Sequence, residues 1–544
     1  MAPGTSDHCM ALVNLSKEIH VNRPKPFKFF NCWTLHPNFL DTVSQSWNLE
    51  IEGNPMKILF TKLKRLKTSL KLLNNDCFSD IIARVIQKRD EFELQQLHTL
   101  NGDKPLEKEL ELQRDFILLE EVESMFLKQK AKVHWIKEGD RCTKFFHSVI
   151  ASKNKRQTIR VLVNHQGDRL DSFEDMSVEL IDYFTKLLGT QDPNTRVCPP
   201  SILKDLVHPI SSLEDKEMLA KEVTNEEIKK AIFSQGNDKA LGPDGIIAPN
   251  QSAFVKGRSI VYNTLLAQEI VKGYGRKSLS PRCALKIDLQ KAFDSINWDF
   301  ISAVLNSMEF PSKVIDWIIA CYSNARYSIA FNGTLIGYFN GAKGIRQGGP
   351  ISPILFVLIM NVLSNLLNTA ASKGMFSFHP KCKNIGLTHL SFADDLLIFC
   401  KGKLEFVLGV ITVLDCFYEF SVLKLNAGKY ELFTAGMSHH IIESIISFTG
   451  FKQGRLLVRY LGVSLVTKKL TEKDCQALID NIKNRIHQWS SKNISYAGRV
   501  ELIKTVLYSV ANYWCRQLVL SPSIIKKIEQ LFSDSFGRAQ IQKL

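Results

Sequence analysis

Two adjacent carboxylates, Asp394 and Asp395, stand inside the apolar run SFADDLLIF. Neighbouring side chains on a strand point to opposite faces, so both reach one site only where the backbone turns. The pair therefore predicts a hairpin tip. Paired carboxylates in an apolar run also repel each other and resist leaving water. A divalent cation removes both penalties, while a solvated acidic turn avoids them. A third carboxylate, Asp288, closes the apolar strand Ala284-Leu285-Lys286-Ile287. Carboxylates at the ends of separate strands supply the oxygen ligands that Mg2+ takes, with places left for phosphate and water. Two such ions can activate a hydroxyl and stabilise a leaving pyrophosphate without any side-chain nucleophile. No Ser/His/Asp arrangement competes with that chemistry. Asp294 reads as the cap of the helix that follows.

The elements around these groups alternate. CALKIDLQKAF begins as a strand, and RYSIAFNGTLIGYF reads as a hairpin turning at Asn332-Gly333. PILFVLIMNVLSNLL reads as a helix and THLSFADDLLIFCKG as strand–turn–strand. Upstream, Ile58, Leu59, Leu63, Leu66, Leu70 and Leu73 recur at helical spacing from about residue 56. A second helical run starts near Pro105, and NGDKP reads as the turn between the two runs. The basic KLKRLK within the first run fits either a charged helix face or a nuclear targeting signal. Residues 157–190 read as a short strand pair and a helix, and QDPNTRVCPPS as a linker. Downstream, Leu478, Ile479, Ile482, Ile486 and Trp489 line one face of a helix that Thr471 and Asp474 start.

Bulk properties narrow the setting. A chain of 544 residues can build several cores. Its 70 Lys and Arg against 55 Asp and Glu leave a net charge of +15, which favours a polyanionic partner such as nucleic acid. The 12 cysteines are scattered singly, which reads as reduced thiols in an intracellular protein. The N-terminus lacks the pattern of a signal peptide. Polar Ser352, Asn361, Ser364 and Asn365 interrupt the most apolar stretch, so it reads as a buried helix and no membrane is expected.

In this order, KIDLQKAFDSINW, GIRQGGPISPILF and LSFADDLLIF resemble signature motifs of non-LTR (LINE-type) retrotransposon reverse transcriptases, most closely the plant lineage. NQSAFVKGRSI, LNAGKYELF, VRYLGVSL, SYAGRVELIKTVL and the upstream WIKEGDRCTKFFH are similar to flanking blocks of that family. The resemblance implies an α+β right-hand polymerase of fingers, palm and thumb, with an antiparallel palm sheet and a long helical region before it. It implies an RNA-directed DNA polymerase with Asp288, Asp394 and Asp395 as the catalytic metal ligands of two Mg2+ ions, or of Mn2+. The implied partners are an RNA template, a DNA primer and deoxynucleoside triphosphates, with no further small-molecule cofactor. Nuclear action follows from the family's way of life.

Further residues carry over one by one. Phe293 stands where an aromatic ring screens the sugar 2′-position, although core packing would also explain it. Arg346, Gln347 and Gly348 stand where the family contacts template and nucleotide. Lys429 matches a lysine near the triphosphate or is a surface lysine. Tyr460, Leu461 and Gly462 match the hairpin that grips the primer end.

The implied organisation is an endonuclease remnant over 1–25, a helical linker region over 26–195, fingers and palm over 223–466, and a helical thumb over 467–544. Three departures stand out. LGPDG at 241–245 runs almost directly into NQSAFVKGR, so part of the fingers is expected to be deleted near 246–249. Lys256 and Arg258, after that gap, are the cations placed to compensate for it. Gly349 replaces a usual Asp, which removes a helix N-terminal carboxylate. SDHCMALVNL resembles the last strand of the family's endonuclease, the rest of which is expected to be missing, so His8 is read as inert. A second reading is therefore a decayed, inactive fragment that at most binds nucleic acid.

Overall fold

The computed structural model describes residues 24–103, 105–132, 143–193, 195–209, 213–233, 247–276, 279–426, 430–454, 459–467, 470–490 and 496–541. The expected nuclease remnant around His8, the LGPDG segment and Lys429 lie outside the described residues.

The upstream region is helical, as its periodicity predicts, but in three rods rather than two. They run over Pro55–Leu73, Ile81–Leu100 and Leu106–Ala131. The additional break falls in NNDCFSD, where Asp80 takes a left-handed conformation at φ 49°. Asn, Asp and Ser compete for backbone hydrogen bonds and so favour such ends. Leu70 and Leu73 are buried with Trp33, Val85 and Val122, whereas Leu59 and Leu63 stay exposed.

A short hairpin follows, β1 (Leu162–Val163) with β2 (Arg169–Leu170), and then a helix over Phe173–Leu188. The remaining strands are β3 (Arg282–Asp288), β4 (Arg326–Phe331), β5 (Thr334–Asn340), β6 (His389–Phe392), β7 (Asp395–Lys401), β8 (Glu431–Ala435), β9 (Lys452–Gln453), β10 (Arg459–Tyr460) and β11 (Val463–Ser464). Five of them form one sheet in the order β6-β7-β3-β8-β9, antiparallel except for β8 with β9. β4 and β5 turn at Asn332-Gly333, both with positive φ, as the Asn-Gly pair predicts. The Asn332 amide bonds both backbone groups of Ile159, which ties the upstream region to this hairpin.

Alternation along the strands splits the core in two. Cys283, Leu285 and Ile287 face the larger core with Leu396, Ile398 and Leu432. The helix Ser352–Ser372 lies in that core and is mostly buried there, although it is long and apolar enough to cross a membrane. Cys198, Leu203 and Leu206 join the same core, so the expected linker is packed rather than free. On the opposite face, Ala284, Leu397, Phe399 and Phe433 pack under the helix Ile260–Val271 and against Tyr460 and Leu465. A C-terminal helical bundle has its own core around Leu478, Ile479, Ile482, Leu507 and Trp514, on the face the periodicity predicts.

Two buried histidines give the fold a pH signature. Burial, with Arg282 and Lys381 nearby, pulls His379 down to about 3, and burial alone pulls His389 down to about 3. His389 bonds Thr388 and Ser364, and His379 bonds Tyr274, so both are satisfied as neutral rings. In the unfolded chain these rings take up a proton near pH 6.5. Unfolding therefore binds protons below that pH, and stability is full above it. The expected loss is up to about 1.4 kcal/mol per histidine for each pH unit below 6.5. Denaturant titrations at pH 7 and pH 5 read this, and equal stabilities would refute it.

Candidate active site

β3 and β7 are paired so that Asp288 lies directly opposite Asp395. Directly opposed residues share one face of a sheet and hold their Cβ atoms about 4.5–5.5 Å apart. Phe392 pairs with Asp395, which leaves Ala393 and Asp394 as a two-residue turn. Ala393 has φ 56°, the positive value that lets a tight turn follow the strand twist. The expected hairpin tip therefore exists and brings Asp394 beside the opposed pair. All three carboxylates are half-buried.

Sequence reading missed what holds this tip. Gln251 is fully buried, and its Oε1 accepts from the backbone N–H groups of Ala253 and Ala393 at 2.9 and 3.1 Å. Its amide nitrogen donates to Ser391 Oγ at 2.7 Å. Arg258, one of the two cations placed to compensate for the gap, is committed to structure. Its guanidinium donates to the carbonyls of Ala248, Gln251 and Ile247 at 2.6, 2.7 and 2.9 Å. Lys256 remains exposed. At the end of β3, residues 424–426 run alongside 288–290, and Asn426 bonds the Asp288 carboxylate at 3.0 Å.

Phe293 stacks on Phe356 with ring centroids 4.6 Å apart and stays half-buried at the edge of the larger core. Its carbonyl accepts from Ile345 N–H at 2.7 Å, and Ile296 O accepts from Gly344 N–H at 2.7 Å. Trp298 Nε1 donates to Gly344 O at 2.7 Å. These bonds fix the GIRQGG loop against the segment that follows Asp288. Arg346, Gln347 and Gly348 are exposed beyond that attachment. The helix Ser352–Ser372 after the loop has no side-chain cap and no acidic residue in its first turn, which agrees with Gly349 replacing an acid.

Asp294 departs from expectation. It lies inside the one-turn helix Ala292–Ser295, and burial raises its pKa while Lys291 opposes the shift. The next helix, Trp298–Ser307, is capped by Asn297, whose side chain accepts from Asp299 N–H.

The hairpin β10–β11 sits on the carboxylate face of the sheet. Lys286, two residues before Asp288 on that face, donates to Arg459 O at 2.9 Å. Leu461 and Gly462 form the turn, at φ 49° and 84°. A leucine in this region is strained, and such strain persists only where neighbours over-determine it. Here Tyr513 of the C-terminal bundle donates to Leu461 O at 2.6 Å. Tyr460 is 1% exposed, so it anchors the hairpin in the core while Arg459 and Gly462 meet solvent. Burial raises its hydroxyl pKa, opposed by Asn263 and reinforced by Asp395.

Among the described residues, no three His, Cys, Asp or Glu side chains are gathered closely enough to hold a metal ion as they stand. The strand register and turn nevertheless supply oxygen donors at one end of the sheet. The donor chemistry fits a hard divalent cation.

The reverse transcriptase (RNA-dependent DNA polymerase) family model matches residues 225–465, which span this whole arrangement. Residues 225–465 are therefore similar to a reverse transcriptase domain. This region forms an α+β fold with a largely antiparallel sheet and a helical region upstream. The chain is 30% identical over 189 residues to the Pol polyprotein of the type-2 retrotransposable element R2DM of Drosophila melanogaster. That match covers 35% of this chain and 17% of the relative. An uncharacterized 149 kDa protein of transposon TX1 of Xenopus laevis is 24% identical over 294 residues, covering 53% of this chain and 22% of the relative. The chain thus matches about a fifth of the length of these relatives. A telomerase from Candida albicans, solved with a fragment of telomeric RNA, is 9% identical with a TM-score of 0.38, covering 92% of this chain and 88% of that one. The resemblance is thus to reverse transcriptases and to the Pol polyprotein of a retrotransposable element.

Proposed function

We propose that this chain extends a DNA primer on an RNA template with deoxynucleoside triphosphates, as the polymerase part of a plant-lineage non-LTR element acting in the nucleus. The observation that carries the reading is the placement of Asp288 opposite Asp395, with the Ala393–Asp394 turn beside them. Asp288, Asp394 and Asp395 would hold two Mg2+ ions, or Mn2+, which when bound lower the pKa of the primer 3′-hydroxyl and balance charge on the leaving pyrophosphate. The fingers and palm would occupy 223–466, the thumb 467–544 and the helical linker region 26–195. Arg346, Gln347 and Gly348 stand exposed beside the site, where they would meet template and nucleotide. Lys429 would act near the triphosphate. The primer end would meet the Leu461–Gly462 turn, with Tyr460 as its buried anchor.

Phe293 has a dual role in this reading. Its stack on Phe356 fixes the ring, and the exposed edge would exclude a 2′-hydroxyl. Phe293→Val is expected to raise ribonucleotide incorporation relative to deoxynucleotide by on the order of tenfold to a hundredfold. Single-nucleotide incorporation measures it, and an unchanged ratio would leave the ring a packing residue only.

The test of the function is primer extension on an RNA template with the purified full chain. Extension that needs a divalent cation supports the proposal. Salt-dependent nucleic-acid binding without extension would instead support the decayed, inactive fragment.

A further inference from the structure

We infer that Asn426 is a positioning residue for the Asp288 carboxylate. Residues 424–426 extend the sheet beside 288–290 through an antiparallel bridge between Leu289 and Leu425. Gln290 N–H donates to Lys424 O at 2.8 Å, and Asn426 N–H donates to Asp288 O at 3.0 Å. These backbone bonds set the register of Asn426 without any help from its side chain. The side-chain amide then donates to Asp288 Oδ2 at 3.0 Å. The donor assignment follows from chemistry, because a carboxylate accepts hydrogen bonds and the amide oxygen would repel it.

An aspartate at a strand end can rotate about two side-chain bonds. A donor held by the backbone of the neighbouring segment removes that freedom and fixes the plane of the carboxylate. Asparagine suits the task because it is neutral. A lysine here would compete with a metal for the same charge, and an aspartate would repel Asp288. Since the backbone bonds already hold the segment, losing the side chain leaves the strand pairing intact. The effect then falls on the carboxylate and on what it binds.

This inference rests on the polymerase reading of the site, and its test separates the two. The full chain, wild-type and with Asn426→Ala, Asn426→Asp or Asp288→Asn, is titrated with Mn2+ alone and followed by electron paramagnetic resonance. The same proteins are assayed for single-nucleotide incorporation. Asp288→Asn identifies the Mn2+ binding that belongs to this site. Asn426→Ala is expected to weaken that binding on the order of tenfold. Its kcat is expected to fall on the order of tenfold as well, with KM for the nucleotide within about twofold, because orientation rather than nucleotide binding is lost. Asn426→Asp keeps the shape and adds repulsion, so its kcat is expected to fall below that of Asn426→Ala; it also serves if the alanine variant does not fold. Unchanged Mn2+ affinity in the folded Asn426 variants overturns the inference, whatever the kcat. Mn2+ binding indifferent to Asp288→Asn overturns the metal reading and the inference together. A wild-type chain that binds Mn2+ through Asp288 but incorporates no nucleotide overturns the polymerase reading alone, and the Mn2+ comparison still judges Asn426.

Discussion

Asp395→Asn is expected to cut primer extension about a thousandfold or more, the equivalent of roughly 4 kcal/mol in the barrier, while leaving the chain as stable as before or slightly more so. The two halves of that result have separate causes. Asp395 faces Asp288 across the strand pair, and like charges directly opposed destabilise a sheet by roughly 0.2–1 kcal/mol. Asparagine keeps the volume and the strand pairing and removes one charge, so the melting temperature should hold or rise. The same change removes an anionic oxygen ligand from the proposed metal site, and with it the activation of the hydroxyl. Asp394→Asn should behave alike, since that carboxylate sits in the adjoining turn. Thermal unfolding and extension assays on the same preparations check both halves. A stable Asp395→Asn chain that extends primers at the wild-type rate would refute the mechanism.

Gly344→Ala is the second large effect, and here stability and activity should fall together. Gly344 has φ 81°, and a Cβ on it would lie 2.5 Å from the carbonyl oxygen of Asp294. That oxygen belongs to backbone, so no side-chain rotation relieves the overlap. The bonds from Gly344 N–H to Ile296 O and from Trp298 Nε1 to Gly344 O would be strained or broken. The strained φ and the overlap together are expected to cost about 2–5 kcal/mol. Because this junction also fixes Arg346 and Gln347 relative to Asp288, extension should drop further than the loss of folded protein explains. Gly333→Ala is the control. It has a similar φ of 84° with nothing within 4 Å, so only the conformational penalty of about 1 kcal/mol should appear. Equal melting temperatures for the two variants would refute the steric account.

Several of these features were legible before any fold was known. The strand before Asp288, the hairpin tip at Ala393-Asp394 and the Asn332-Gly333 turn follow from short-range rules of alternation and turn chemistry. The same holds for the apolar face of Leu478, Ile479 and Ile482. The upstream break at NNDCFSD is also local, but a run of leucines at helical spacing on its N-terminal side masked it. Arg258 shows the opposite failure. An arginine beside an apparent gap in a basic chain suggests a ligand-facing charge, yet three backbone carbonyls claim it. Carbonyls carry no sequence identity, so no pattern in the chain announces them. The same reason hid Gln251, whose partners are mostly backbone, and Asn426, which is 138 residues from the carboxylate it bonds.

The sequence by itself determined the kind of chemistry proposed here, because carboxylates at strand ends in these surroundings are a matter of residue type and spacing. It also determined the α+β class through the alternation of its elements. The tertiary structure alone decided which carboxylates face each other, since register is set by the pairing of strands more than a hundred residues apart. It decided that Tyr460 is a core anchor rather than a surface contact, and that Gln251 and Asn426 hold the backbone and carboxylate of the site. Such long-range hydrogen bonds depend on a sheet that is packed by a core on each face. Three aspartates can therefore be read from the chain, but their geometry is a property of the fold.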